Sequence, residues 1–314
     1  MNSRRTHQAK SLILREYTYT GLKKNDHVRI LCTARSAFQA DLKQARDLLE
    51  SWGLRVSCGK TIGAINHQFG GTTSLRITDF QDALNDDDID AIWIARGGYG
   101  TVQIIDDVDF SAFAKADFKK LIIGYSDVTI LHSHLQKMNL TSLHSFMPLE
   151  LKDKSQSCID SFKKALTGHS QSISIANDNN IEPQELKGRV VGGNLSILYS
   201  LLGSKSLTNT DGCFLFIEDI DEYVYHIERM MYGLKRAGHL DKLKGLIVGG
   251  MTDMRDHKIP FGKNAVEIIK DITASYHYPV IFNFPAGHIK DNRSLKLGTD
   301  MHVSIKKNHI TFTY

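Results

Sequence analysis

Lys120-Leu-Ile-Ile-Gly-Tyr-Ser-Asp-Val-Thr129 carries a buried strand straight into the start of a helix. Leu121 to Ile123 is an unbroken apolar run that stops at Gly124. Past Asp127, the apolar residues Val128, Ile130, Leu131 and Leu135 recur at spacings of two to four, a helical pattern. A serine between such a strand and such a helix is held on a sharp turn at the sheet edge. Its hydroxyl projects among free backbone N–H groups, which is where a hydrolase places a nucleophile. The same residues also suit a helix cap, with Ser126 or Asp127 accepting from the first helical N–H groups. Val128 stands where a G-x-S-x-G pattern would put its second glycine.

Outward from this turn, strand and helix alternate. His27 to Thr33, Leu54 to Cys58, Ala91 to Ala95 and Thr141 to Ser145 read as further strands. Asp41 to Trp52, closed by Gly53, and Leu75 to Leu84 read as helices between them. Continuous apolar strands in such an alternation imply a parallel sheet covered on both faces, with ligands at the carboxyl ends of its strands. Gly97-Gly98 and Ser126 both fall at such ends. A polar stretch over 170–186, with Asn177-Asp178-Asn179-Asn180 and Pro183, reads as a linker. It divides an N-terminal domain over 21–169 from a C-terminal domain over 187–314, and residues 1–20 read as a flexible tail. In the second domain, Cys213 to Ile217, Leu243 to Val248 and Val280 to Phe284 read as strands, and Tyr223 to Ala237 and Val266 to Tyr276 as helices. Alternation at Val303, Ile305, Ile310 and Phe312 around Lys307-Asn308 reads as a closing hairpin.

Composition narrows the function classes. The 314 residues are 41% hydrophobic and 24% charged, ordinary for a globular protein, and can hold two cores. A net charge of +4 with scattered Lys and Arg gives no nucleic-acid stripe. Cys32, Cys58, Cys158 and Cys213 form no C-x-x-C pair, which points to a reducing compartment and no zinc site. Leu12 to Leu14 is too short for a signal peptide, and no run approaches the roughly 20 apolar residues that span a bilayer. A cytoplasmic protein without a membrane segment, metal or cofactor is expected.

A neutral serine hydroxyl needs a base. Among 14 histidines, His288 is singled out by its place after a strand, in Pro285-Ala-Gly-His288, although an isolated loop histidine can equally be surface decoration. A base needs an acid to fix its tautomer, and Glu218 and Asp219 end an apolar strand. A carboxylate there is either a functional group at a sheet edge or a charge favoured by a helix dipole. His132 and His134, two apart, point to different helix faces and do not suit a metal. Gly97-Gly98-Tyr99-Gly100 matches neither a dinucleotide fingerprint nor a P-loop, and suits an oxyanion hole or a carboxylate nest.

Taken together, these segments resemble the LD-carboxypeptidase family of serine peptidases, the muramoyl-tetrapeptide carboxypeptidases. The resemblance runs from about Leu22 to the C-terminus. It rests on Ala91-Ile-Trp-Ile-Ala-Arg-Gly-Gly-Tyr-Gly100, Ile123-Gly-Tyr-Ser-Asp127, Val191-Gly-Gly-Asn-Leu195, Phe216-Ile-Glu-Asp219, Tyr225-His-Ile-Glu-Arg-Met230 and Phe284-Pro-Ala-Gly-His288. It implies an α/β fold, with an N-terminal Rossmann-like parallel-sheet domain that carries the serine. A smaller C-terminal α/β domain with a β-rich tail would carry the acid and the base. Ser126 would be the nucleophile, His288 the base and Glu218 its acid, with the backbone N–H groups of Gly98 and Asp127 as the oxyanion hole. A cytoplasmic homodimer is implied, without metal, that releases terminal D-alanine from a murein tetrapeptide in cell-wall recycling. Arg96, with Gly97, is the expected holder of the substrate carboxylate, unless Arg96 pairs with Glu218 or Asp219. Thr33-Ala34-Arg35-Ser36 and His144-Ser145-Phe146-Met147-Pro148 depart from the family's Ser-Pro-Ser-like and His-Gly-Pro loops, and are expected to line the substrate pocket. Two alternatives stay open: an immunity-type hydrolase of peptidyl- or aminoacyl-nucleotide antibiotics, and a non-catalytic ligand-binding protein.

Overall fold

The structure, a computed structural model, describes residues 19–111, 120–178 and 180–314. The expected flexible tail over 1–20 lies outside the described residues except for Tyr19 and Thr20. Tyr19 is buried, and its hydroxyl donates to Leu166 O at 2.7 Å.

The first sheet contains β1 (His27–Leu31), β2 (Arg55–Cys58), β3 (Ala91–Ile94), β4 (Leu121–Gly124) and β5 (Ser142–His144). These run parallel in the order β2-β1-β3-β4-β5. Every residue of β3 and β4 is buried, as expected of strands covered on both faces. Side chains alternate by face. Trp93, Ile123 and Leu143 pack toward α1 (Lys43–Ser51) and α4 (Gln156–Leu166). Ile92, Ile94 and Ile122 pack toward α2 (Thr73–Asn85) and α3 (Thr129–Lys137).

The second sheet has seven strands: β6 (Ser172–Ala176), β7 (Gln184–Asn194), β8 (Phe214–Ile220), β9 (Gly245–Thr252), β10 (Val280–Ile281), β12 (Asp300–Ile305) and β13 (His309–Thr313). Its order is β10-β9-β8-β7-β12-β13-β6. The 11-residue β7 joins two styles of pairing. Val190 to Asn194 pair in parallel with β8, and Gln184 to Arg189 pair antiparallel with β12. Helices α5 (Leu195–Ser200), α6 (Val224–Arg236) and α7 (Ala265–Thr273) cover the parallel half. The hairpin of β12 and β13 forms where the alternating tail predicts it.

Two features depart from the sequence reading. The stretch over 170–186, read as a linker, contains β6 and the start of β7, so it belongs to the second sheet. The other departure is β11 (Leu295–Leu297), which leaves the C-terminal half of the chain and pairs antiparallel with β5 on the first sheet. The first sheet therefore depends on a strand from the C-terminal half. The seam is further closed by Phe216, whose ring meets the His144 ring edge-on at 5.0 Å, and by Asn194 N–H donating to Thr129 Oγ1 at 2.9 Å. Among the described residues no helix is long and apolar enough to cross a membrane.

The crossing of β11 to the first sheet predicts that the two sheets unfold as one cooperative unit. Both tryptophans, Trp52 and Trp93, lie with the first sheet, so fluorescence reports that part and far-UV circular dichroism reports both. The two urea transitions should coincide, and a fluorescence midpoint displaced from the dichroism midpoint would show that the sheets unfold separately.

Candidate active site

The carboxyl ends of β3 and β4 face those of β8 and β10 across a cleft of about 440 Å³. Ser126, Gly97 and Gly98 line one side, and His288 and Asp219 line the other.

Ser126 sits on a strained turn. Tyr125 before it is extended, and Ser126 itself has φ +61°, in the left-handed region that L-residues rarely occupy. The helix-cap reading does not hold. A short 3-10 turn, Ser126–Val128, precedes α3, and neither of the residues that cap these two segments, Tyr125 and Val128, offers a side-chain bond. Asp127 points inward instead, and its Oδ2 accepts the Thr101 N–H at 2.9 Å. Burial raises its pKa against the opposing Thr101 bonds and the Arg76 charge. Asp127 thereby ties the elbow to the Gly97–Gly100 loop. The loop comes close: a methyl on Gly97 would stand 3.4 Å from Ser126 Oγ. Its far end is held by the buried Arg76, whose Nη1 donates to Gly100 O at 2.9 Å and Thr33 O at 2.8 Å. Arg76 escaped the sequence reading, although a cation between Leu75 and Ile77 on a helix was a usable signal.

Glu218 and Asp219 separate cleanly. The Glu218 side chain is fully buried, and its Oε2 accepts from His288 Nδ1 at 2.7 Å and from the His288 backbone N–H at 3.2 Å. With Nδ1 donating, the tautomer that leaves Nε2 free to accept is fixed. Asp219 turns toward α5, accepting from Asn194 Nδ2 and Ser196 N, each at 2.8 Å. Burial and the neighbouring Glu218 charge push its pKa up to about 7. Arg96 pairs with neither acid. Its Nη1 makes a 3.4 Å contact with Ser36 O, and its side chain lines the cleft.

His288 keeps 14% side-chain exposure. Burial alone would lower its pKa, but the charge and hydrogen bond of Glu218, with Glu150 and Asp219 behind, raise it overall. Its ring lies 4.6 Å from that of Tyr125, whose hydroxyl donates to Glu150 Oε1 at 2.7 Å. The loop that follows is fastened to the first half of the chain. Lys154 Nζ donates to Ile289 O at 3.3 Å, Ser155 Oγ to Asp291 Oδ1 at 2.6 Å, and Ser294 N to Ser161 Oγ at 3.0 Å. Among the described residues no hydrogen bond joins Ser126 to His288. The pair shares the cleft, and such bonds commonly tighten only when substrate is bound.

His132 and His134 diverge as their spacing predicts. His132 bonds Ser142 Oγ and Gly124 O, and His134 bonds Ser206 Oγ. Among the described residues no group of His, Cys, Asp and Glu is placed to hold a metal. The arrangement can do acyl transfer: a hydroxyl on a strained elbow, a base oriented by a buried acid, and backbone N–H groups opposite.

Comparisons with known proteins place the chain by family and fold. The profile of the LD-carboxypeptidase N-terminal domain matches residues 28–145, and that of the C-terminal domain matches 187–303. A probable murein peptide carboxypeptidase of Bacillus subtilis (strain 168) is 31% identical over 288 residues, covering 90% of each chain. The murein tetrapeptide carboxypeptidase of Pseudomonas aeruginosa is 26% identical over 276 residues, 84% of this chain and 87% of that one. The crystal structure of muramoyltetrapeptide carboxypeptidase from Oxalobacter formigenes superposes with a TM-score of 0.82 at 26% identity, over 91% of this chain and 98% of that one.

The His288–Glu218 contact depends on Gly287, which has φ +110° and whose added methyl would meet Glu218 Cβ and Oε2 at 2.7 Å. Gly287→Ala should push the pair apart. In a proton NMR titration the His288 pKa is then expected to fall relative to the wild-type protein; an unchanged titration would mean the contact does not set it.

Proposed function

We propose, since this chain belongs to the LD-carboxypeptidase family of peptidases, that it is a serine-type LD-carboxypeptidase releasing the terminal D-alanine of murein tetrapeptide. The observation that carries this reading is the buried Glu218 holding His288 by Nδ1 across the cleft from a left-handed Ser126. The named relatives that act on murein peptides support the substrate class.

In this reading His288 Nε2 takes the Ser126 proton as Oγ attacks the scissile carbonyl. Glu218 stabilises the resulting imidazolium. The carbonyl oxygen, now negative, is met by the backbone N–H groups of Gly98 and Asp127, worth about 10²–10³ in rate for one such donor. His288 then gives its proton to the leaving amine, and D-alanine departs. Water, deprotonated by the same imidazole, opens the acyl-enzyme and restores Ser126. Arg96, beside the Gly97-Gly98 turn, would meet the free carboxylate.

Ser126→Ala should abolish D-alanine release from a murein tetrapeptide digest, read by chiral amino-acid analysis. Undiminished release would sink the nucleophile assignment, and turnover confined to aminoacyl-sulfamate substrates would move the protein to the immunity-type activity. The pH dependence has a fixed sign. His288 works as a neutral base with a raised pKa, so kcat/KM should rise with pH along an acid limb whose midpoint lies above the ordinary imidazole value of 6.5. Glu218→Gln removes the charge and bond that raise it and leaves burial, which lowers it. The limb should then move to lower pH while kcat drops by about 10⁴-fold, the cost of the equivalent carboxylate-to-amide change in a serine triad. A limb that stays in place would show that Glu218 does not govern the base.

A further inference from the structure

Arg35 stands on the loop after β1, which departs from the family pattern and is expected to line the substrate pocket. Its backbone is anchored: Arg35 bridges Phe69, Ser36 N–H donates to Gln68 O at 3.0 Å, and Gly70 N–H donates to Ala34 O at 3.0 Å. Its side chain crosses directly over Gly98, so that a methyl there would lie 2.6 Å from Arg35 Cδ and 2.7 Å from Nε. Only a glycine admits this crossing. The side chain therefore overhangs the loop that lies against Ser126, and it lines the same cleft.

Among the described residues Arg35 makes no ion pair and no side-chain hydrogen bond. The acids that line the cleft are committed to other partners. Asp127 holds Thr101, Asp219 holds Asn194 and Ser196, Asp221 pairs with Arg255, Glu222 with His226, and Glu150 with Tyr125 and Lys154. Arg96, the second cation of the cleft, has among the described residues its long contact to Ser36 O and no ion pair. Two guanidinium groups thus share one wall without a protein counter-charge, and an anionic ligand group completes the balance.

We propose that Arg35, together with Arg96, forms the subsite for the free carboxylate of the departing residue, and that Arg35 makes this protein an exopeptidase. This rests on the carboxypeptidase reading above. The chemistry fits: a guanidinium presents a planar fork matched to both oxygens of a carboxylate. The position fits as well. The carboxyl carbon of a terminal residue is two bonds from the scissile nitrogen, so it lies within reach of a guanidinium over Gly98 when the carbonyl is at Ser126. An internal peptide bond presents no such anion and leaves both cations unpaired.

The test compares murein tetrapeptide with its C-terminal carboxamide, which differs only in that anion. The wild-type protein should favour the free acid in kcat/KM by about 10- to 100-fold, the worth of charge-assisted hydrogen bonds. In Arg35→Gln the ratio should collapse toward one, chiefly through KM, while Arg35→Lys keeps part of it. An equal loss on both substrates would overturn the proposal and assign Arg35 to the oxyanion or to loop structure. An aminoacyl-sulfamate substrate carries no terminal carboxylate; if Arg35→Gln slows it as much as the tetrapeptide, the anion held is not a peptide terminus, and the proposal also falls. Calorimetry with Ser126→Ala separates this from failure of the catalytic reading. Even without turnover, the free acid should bind more tightly than the carboxamide, and Arg35→Gln on that background should erase the difference. Equal binding of the two peptides would overturn the subsite.

Discussion

Everything at the cleft depends on the way residues 285–297 are pinned to the first half of the chain. His288 is supplied by the loop after β10, which is bonded to β9 at Phe284 and Ala286 and is also fastened to the first half of the chain. It is stitched to Lys154, Ser155, Cys158 and Ser161 and runs into β11, which completes the first sheet. His288 is thus tied to the scaffold that carries Ser126. Glu218 enters from the second sheet and meets it there. An arrangement that must hold to a few tenths of an ångström is therefore not left to a hinge between two bodies.

The left-handed Ser126 carries a cost of about 1–3 kcal/mol, and the surroundings keep it in place. Tyr125 is anchored through Glu150, and Asp127 through Thr101. Arg76 holds the facing loop from behind. The elbow is consequently rigid on both sides of the serine, and the hydroxyl is left unspent.

Much of this was legible in the residues. The parallel strands showed because each is a short apolar run bounded by polar turns, and Ser126, Gly97 and Gly98 fell at their ends. His288 and Glu218 were singled out by their places after a strand and at a strand end, but only the blocks read jointly paired them, since nothing local says that a loop histidine and a strand-end acid meet. What stayed hidden was non-local. Leu295–Leu297 is three residues long, and its partner β5 lies some 150 positions earlier, so no local pattern could assign it. β6 was hidden by its polar flanks, which read as a linker. Arg35 belonged to a loop expected to line the pocket, but only the fold shows its side chain laid across Gly98.

The shared strand also has a meaning in time. A chain emerging from the ribosome completes β1 to β5 long before Leu295–Leu297 exists, so the outer edge of β5 must wait open. Open edges invite pairing with other chains, and contacts between distant segments close slowly. His288 emerges in that same last portion. Protection of the exposed edge and the arrival of His288 come together, so a nascent chain long enough to pair wrongly still lacks a residue that lines the cleft.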